Sequence, residues 1–270
     1  AVADDHQSRG IGTSLVQLLT AYARQQGISR FAADVLAENV RILRVFRNAG
    51  YELSRTLEAG IYSVDFPVAY TDDARAAAEE REKRAIAASV APLFFPRAIA
   101  VIGASTRAGS IGNTLFKNLF GGGFQGAIYP VNPTARVVNS VKAYTSVTEI
   151  PDPVDLAFIV VPSRFVLDAA RECAAKGVRG LVVISAGFGE VGNDDLEEEL
   201  LRIVRDGGMR MVGPNCMGLL NTAPAVQMNG AFAPVYPPAG NIAMSSQSGA
   251  LGIAILEFAR RNHLGISQFV

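Results

Sequence analysis

The residues best suited to do chemistry lie in the stretch Ala-Ile-Ala-Val-Ile-Gly-Ala-Ser-Thr-Arg-Ala-Gly-Ser-Ile-Gly-Asn at 98–113. An apolar run stops at Gly103 and a helical pattern starts near Ser110, so the turn between them brings the unpaired amides of a new helix to the end of a strand. Gly103 lets the backbone bend sharply, and Gly109 and Gly112 are expected to let it approach a ligand closely. Ser105 stands where a second close glycine would sit. The chemistry this spacing suits is the gripping of a phosphate by main-chain nitrogens. Glycine-rich turns of this kind also form for purely structural reasons, so the neighbouring strand ends matter.

From residue 98 onward, strand and helix patterns alternate with short connections, which predicts a parallel sheet covered on both faces. Strands are expected at 98–102, 127–131, 156–161, 181–184 and 209–212, with helices at 113–120, 165–176 and 195–206. A doubly wound α/β domain fits this order, and its functional groups should gather at the carboxyl ends of the strands. Five loops meet that condition: 103–113, Asn132-Pro133, Val161-Pro162-Ser163, the 185–190 run Ser-Ala-Gly-Phe-Gly-Glu, and the 213–218 run Gly-Pro-Asn-Cys-Met-Gly. All are rich in residues that shape a backbone rather than fill a core, and together they predict a pocket.

A dinucleotide site would want an acidic residue ending the second strand to bind a ribose diol. That position reads Pro130-Val131-Asn132-Pro133, which disfavours NAD and favours another phosphate-bearing adenine nucleotide. Beyond Asn221 the chain turns Pro-rich, then resumes with an expected strand at 241–244 and helix at 250–262.

The 270 residues suit about two domains, and 49% hydrophobic with 19% charged residues is ordinary for a globular protein. Twenty-five basic and 25 acidic residues cancel, so no general attraction to nucleic acid or an anionic membrane is implied. Only Cys173 and Cys216 occur, no apolar run approaches membrane-spanning length, and the first residues lack a signal-peptide pattern, which points to the cytoplasm. With only His6 and His263, no metal is expected.

Residues 1–66 read as a separate unit. It comprises a turn at 7–12, a helix at 14–26 carrying Leu15, Leu18, Leu19 and Tyr22 on one face, and a strand at 30–35. A helix at 39–49 stopped by Gly50 follows, then strand-like runs at 51–57 and 61–66. An upstream half of this unit is expected to be missing. Residues 67–92 read as a semi-rigid helical linker, capped by Thr71 and running through 73–88 with little apolar content.

Val-Ile-Gly-Ala-Ser (101–105), Tyr-Pro-Val-Asn-Pro (129–133), Val-Asp-Leu-Ala-Phe-Ile-Val-Val-Pro (154–162), Gly-Pro-Asn-Cys-Met-Gly (213–218) and Ser-Gln-Ser-Gly (246–249) resemble the coenzyme A binding domain of NDP-forming acyl-CoA synthetases and the succinyl-CoA synthetase alpha subunit. The resemblance covers about residues 91–270. It implies a Rossmann-like coenzyme A binding domain at 93–222 and the start of a flavodoxin-like domain at 238–270, continuing past Val270. It also implies coenzyme A contacts from Gly103, Ser105, Gly112, Asn132, Val161, Pro162, Asn215 and Gly218, to which the glycine spacing of the turn adds Gly109. Ser246, Gln247, Ser248 and Gly249 would open a helix whose start receives a phosphoryl group in that family, a role that free amides suit. The ligases of the family also use a transiently phosphorylated histidine. Neither histidine fits: His263 reads as an exposed helix C-cap and His6 as surface.

Gln7-Ser8-Arg9-Gly10-Ile11-Gly12 resembles the pyrophosphate turn of the Gcn5-related N-acetyltransferases (GNAT), which implies a partial GNAT α/β fold at 1–66. Gln7, Arg9, Gly10, Ile11 and Gly12 would then grip coenzyme A or acetyl-CoA, and Asn39 would contact its pantetheine arm. Phe46 occupies the place where that family often carries a hydroxylated aromatic acid. It reads as a core side chain, with Tyr51 a poor substitute at a strand start. The two resemblances in one chain resemble bacterial protein lysine acetyltransferases, so the first functional reading is an acetyl-CoA-dependent N-acyltransferase, with a protein lysine as acceptor and the synthetase-like module regulating it. The alternatives are an NDP-forming acyl-CoA ligase and a coenzyme A sensor without turnover. Oligomeric state is left open.

Overall fold

The computed structural model describes residues 10–69 and 72–270, with the side chains of Asp73 and Ala74 excepted. Gln7, Arg9, His6 and the expected cap Thr71 lie outside the described residues. The chain divides into two compact units, one up to residue 87 and one from residue 88.

In the first unit, α1 (Ile11–Gln25) and β1 (Arg30–Leu36) are followed by α2 (Val40–Asn48) and the hairpin β2 (Ser54–Glu58) and β3 (Ile61–Pro67). The strands form an antiparallel sheet in the order β1-β3-β2. The hairpin turns on Ala59 and Gly60, both with positive φ, which gives a two-residue turn the twist its strands need. Phe66 anchors the core: it is fully buried, with the rings of Phe31, Phe46 and Tyr51 at 5.8, 5.1 and 5.2 Å. Phe46 is therefore a core side chain. Tyr51 does not begin a strand. Its ring is buried and its hydroxyl donates to Thr20 Oγ1 at 2.7 Å, so β2 starts three residues later. The α1 stripe is reversed from what its apolar periodicity suggests. Leu18 and Tyr22 are more than 60% exposed, while Thr20 and Ala23 face the core, where the Tyr51 hydroxyl meets Thr20.

Helix α3 (Asp72–Phe94) runs farther than expected, with Pro92 in its last turns. Its end belongs to the second unit: Leu93 is buried beside Leu156 and Gly180, and the Phe94 carbonyl accepts from Asn221 Nδ2 at 2.7 Å.

The second unit contains β4 (Ala98–Ile102), α4 (Ile111–Gly121), β5 (Ala127–Val131), the small hairpin β6 (Val137–Val138) and β7 (Val141–Lys142), β8 (Leu156–Ile159), α5 (Val166–Lys176), β9 (Gly180–Val183), α6 (Asp194–Asp206) and β10 (Arg210–Val212). The five long strands make a parallel sheet in the order β10-β9-β8-β4-β5. Strands β4, β8 and β9 are buried along their whole length, as continuous apolar runs demand in a sheet covered on both faces. Val166, Ala170 and Cys173 of α5, with Leu200 and Val204 of α6, cover one face. Leu115, Phe116 and Leu119 of α4 cover the other.

Beyond the sheet lie β11 (Gly218–Asn221), β12 (Met228–Ala231), β13 (Ala239–Met244), α7 (Gly249–Arg261) and β14 (Ile266–Phe269), with the strands in the order β12-β11-β14-β13. The β11–β12 pair was not expected from the sequence. It ties the 239–269 segment to the parallel sheet, since Gly230 of β12 lies against the Phe158 ring and Asn118 of α4 donates to the Ala231 and Ala233 carbonyls at 2.8 and 3.1 Å. The segment expected to open a further domain thus shares a core of Met217, Leu220, Ala231, Leu256, Ile266 and Phe269 with its predecessor.

Candidate functional site

The strand order reverses between β4 and β8, since β5 lies on one side of β4 and β8, β9 and β10 on the other. A sheet of this kind leaves a crevice outside its carboxyl edge at that point. Gly103 is seated there with φ +95°, where a Cβ would lie 2.5 Å from the Val160 carbonyl oxygen and 3.0 Å from Val161 Cγ1. The crevice opens into a cavity of about 1100 Å³. Of the expected residues, Gly103, Ser105, Gly112, Asn132, Val161, Pro162, Asn215, Gln247 and Gly249 line it.

Helix α4 presents its first turn to this cavity. Ser110 caps it, accepting from Asn113 N at 3.3 Å, while the Ile111 and Gly112 amides, in the first turn, have no intrahelical acceptor. Gly112 is needed for a reason other than ligand approach. It is buried, and a Cβ there would overlap the Gly103 carbonyl oxygen and stand 3.1 Å from its carbon. Its bare Cα lets the helix start press against the strand end. Asn113, also buried, donates through Nδ2 to the Ser105 carbonyl at 2.7 Å and holds the turn in place.

Asn132 lines the cavity, yet its side chain is engaged within the protein. Nδ2 donates to the Ala104 carbonyl at 2.7 Å, and Oδ1 accepts from Thr134 N and Ala135 N at 2.9 and 2.8 Å. Only an amide both donates and accepts in this way, so the missing carboxylate has a structural cause. Ser185, nearly buried, donates to the Val161 carbonyl, and its own carbonyl accepts from Asn215 N at 3.0 Å, so the loops after β8, β9 and β10 are laced together. In the 187–190 loop, Glu190 accepts from the Gly187 and Phe188 amides. Those bonds, the Gly187 one foremost, hold its carboxyl below the usual range.

Cys216 lies on the wall, its thiol donating to the Val183 carbonyl at 3.3 Å. Burial pushes the thiol up to about 11, so it is protonated and unreactive at neutral pH. Cys173 is pushed up further by burial in the core.

Several expected contacts are not brought to the cavity wall. Gly109, with φ +77° and open space around it, serves the turn. Gly218 begins β11, where a Cβ would strike the Gly230 carbonyl oxygen, so its requirement is strand pairing. Ser248 caps α7 by accepting from Leu251 N at 3.3 Å, and Ser246 Oγ donates to the Ser248 carbonyl and accepts from its amide. Both hydroxyl oxygens accept from main-chain amides of the cap, while Gln247, Gly249, Ala250 and Ile253 reach the cavity. In the first unit, Gly10 is the left-handed cap of α1, Ile11 and Gly12 lie in its first turn, and Asn39 caps α2 by accepting from Ile42 N at 3.4 Å. Among the wall residues the sequence did not single out, Arg107, Ser110 and Ile111 lay inside the recognised turn. Phe232 and Ile253 carried no signal at all.

The coenzyme A binding domain family matches residues 97–222. Residues 97–222 are a coenzyme A binding domain. The acetyltransferase (GNAT) family matches residues 1–51, so the chain joins a GNAT fragment to a coenzyme A binding domain of the ADP-forming acyl-CoA synthetase type. The chain is 48% identical over 180 residues to acetate–CoA ligase (ADP-forming) I of Archaeoglobus fulgidus, a match covering 66% of this chain and 26% of that protein. It is also 48% identical over 180 residues to the alpha subunit of acetate–CoA ligase (ADP-forming) II of Pyrococcus furiosus, covering 66% and 38%. The structure of dinucleotide-forming acetyl-coenzyme A synthetase 1 from Ca. Korarchaeum cryptofilum, in complex with phosphate and ADP, matches with a TM-score of 0.65 at 47% identity, covering 67% of this chain and 39% of that one. The coenzyme A binding domain and its flank thus span roughly a quarter to two-fifths of these relatives.

The cavity is mixed in chemistry. Its wall offers main-chain donors for phosphate at α4, one guanidinium from Arg107, apolar surface from Val160, Ile184, Met217, Phe232 and Ile253, and no Asp or Glu among the described residues. Among the described residues, no helix is long and apolar enough to cross a membrane, and no group of three or more His, Cys, Asp and Glu is placed to hold a metal.

Proposed function

We propose that this chain binds coenzyme A or acetyl-CoA in the cavity between β4 and β8 and serves an acyl-CoA ligase of the ADP-forming type. The observation that carries the reading is a close-fitting helix start opening on a cavity with no Asp or Glu among the described residues of its wall, at the reversal of strand order. The ligase reading, rather than the acyltransferase one, rests on the 48% identity to acetate–CoA ligases across the coenzyme A binding domain and its flank. When bound, coenzyme A supplies the thiol that carries an acyl group as a thioester. Gly103 and Gly112 shape the turn, the Ile111 and Gly112 amides hold phosphate oxygens, and the apolar wall excludes water from the remainder of the molecule.

Calorimetric titration of the chain with coenzyme A, acetyl-CoA and NAD tests this. Both thiol-family ligands should bind more tightly than NAD, because Asn132 presents no carboxylate for a ribose diol. Equal or tighter binding of NAD would sink the reading.

A second reading, an N-acyltransferase with a protein lysine as acceptor, is favoured by the acetyltransferase family match at residues 1–51. Its usual acid position carries the buried Phe46, and the Tyr51 hydroxyl is committed to Thr20. Radiolabelled acetyl-CoA incubated with the chain and a lysine-bearing acceptor should therefore leave the acceptor unlabelled. Rapid labelling would favour the transferase.

A further inference from the structure

Coenzyme A carries several negative charges, yet nearly all the donors on the cavity wall are neutral. The α4 terminus contributes only about half a positive charge. Among the described residues lining the wall, none is Lys, Asp or Glu, and Arg107 alone carries a full charge. Six other arginines of the second unit are spent on carboxylates: Arg97 and Arg179 on Asp155, Arg171 and Arg202 on Glu199, Arg260 and Arg261 on Glu257, while Arg164 lies over the Phe165 ring and Arg210 donates to Ser89 Oγ, and none of these lines the cavity. Among the described residues, Arg107 has no acidic partner.

Its backbone is nonetheless held at both ends. The Arg107 amide donates to Ser105 Oγ at 3.1 Å, and its carbonyl accepts from Ser110 Oγ at 2.8 Å and from Ser110 N at 3.3 Å. The same Ser110 caps α4. A fixed main chain with an uncommitted guanidinium is thus tied to the helix start whose amides face the cavity. A guanidinium matches phosphate geometry with two parallel donors, and a fixed main chain leaves only the side chain to be ordered on binding.

We propose that Arg107 grips the diphosphate of coenzyme A beside the Ile111 and Gly112 amides and sets the affinity of the site for that group. This rests on the coenzyme A reading above. The diphosphate, rather than the ribose 3′-phosphate, is assigned because Arg107 is anchored to the cap of α4, and a helix start is where a diphosphate settles in sheets of this type.

The test compares coenzyme A with 3′-dephospho-coenzyme A on the full chain, using wild type, Arg107→Ala and Arg107→Lys. Because the side chain is exposed and makes no bond within the protein, both variants should melt with the wild type. Arg107→Ala should weaken both ligands by the same factor, on the order of 10- to 100-fold. Arg107→Lys should recover part of the loss, and the salt dependence of binding should become shallower in Arg107→Ala. A loss confined to coenzyme A would place Arg107 on the 3′-phosphate and overturn the assignment. Unchanged binding of both ligands would overturn it as well. If the wild type bound neither ligand, the coenzyme A reading itself would fall, and the role of Arg107 with it.

Discussion

Gly112→Ala and Gly121→Ala change the two ends of one helix by the same methyl group, and the structure assigns them opposite signs. At Gly121 the new carbon meets nothing within 4 Å, so the gain in helix propensity should stabilise by about 0.5–1 kcal/mol. At Gly112 the new carbon overlaps the Gly103 carbonyl oxygen, a backbone atom that cannot rotate away. Forcing a methyl into a close-packed site costs about 1–3 kcal/mol, from which at most about 1 kcal/mol of propensity is recovered. Because the overlap is with a main-chain atom, the cost lies in the upper part of that range, about 2–3 kcal/mol, and the net loss with the full propensity gain recovered is about 1–2 kcal/mol. For a unit of this size that lowers its melting temperature by roughly 2–8 °C. Because α4 must move off β4 to make room, the Ile111 and Gly112 amides leave the cavity wall, and coenzyme A affinity should fall together with stability. Circular dichroism melts with calorimetric titration read both. If Gly112→Ala melted at or above the wild type, the close fit of helix and strand would be wrong, and with it the geometry of the site.

Two further outcomes follow from the packing and the charges. Burial alone would raise the Asp155 carboxyl, but the Arg97 amide and the Arg179 guanidinium bind its charged form and hold it below the usual value. Its contribution is therefore complete above the ordinary carboxylate range near pH 4 and is lost as pH falls through the lowered value. Asp155→Asn should flatten the acid limb of urea-midpoint curves, and an unchanged limb would refute the assignment. Phe66→Ala removes the ring on which Phe31, Phe46 and Tyr51 pack, at a cost of about 3–5 kcal/mol against a total of about 5–15. Differential scanning calorimetry should show the first unit melting earlier while coenzyme A binding by the second unit persists.

Much of the fold was legible because its causes are local. The apolar runs at β4, β8 and β9 announce strands buried on both faces, and the five loops rich in Gly, Pro, Ser and Asn follow these three strands together with β5 and β10. The β11–β12 pair was not legible. Its strands are short, lie among prolines, and include Gly230, whose reason for being glycine is the Phe158 ring more than 70 residues earlier in the chain.

The amino-acid sequence by itself determined where strands end, where helices begin and which loops share the carboxyl edge of the sheet, since backbone preference and apolar period act over a few residues. The tertiary structure decided what each polar or small residue is for. Asn132 turns to Ala104, Gly112 yields to Gly103, Thr20 meets Tyr51, and Arg107 is brought to the cavity wall. Each of these outcomes depends on an atom brought close only by folding. A side chain's hydrogen-bonding capacity is written in its type, but whether a neighbour has already used it is settled in three dimensions.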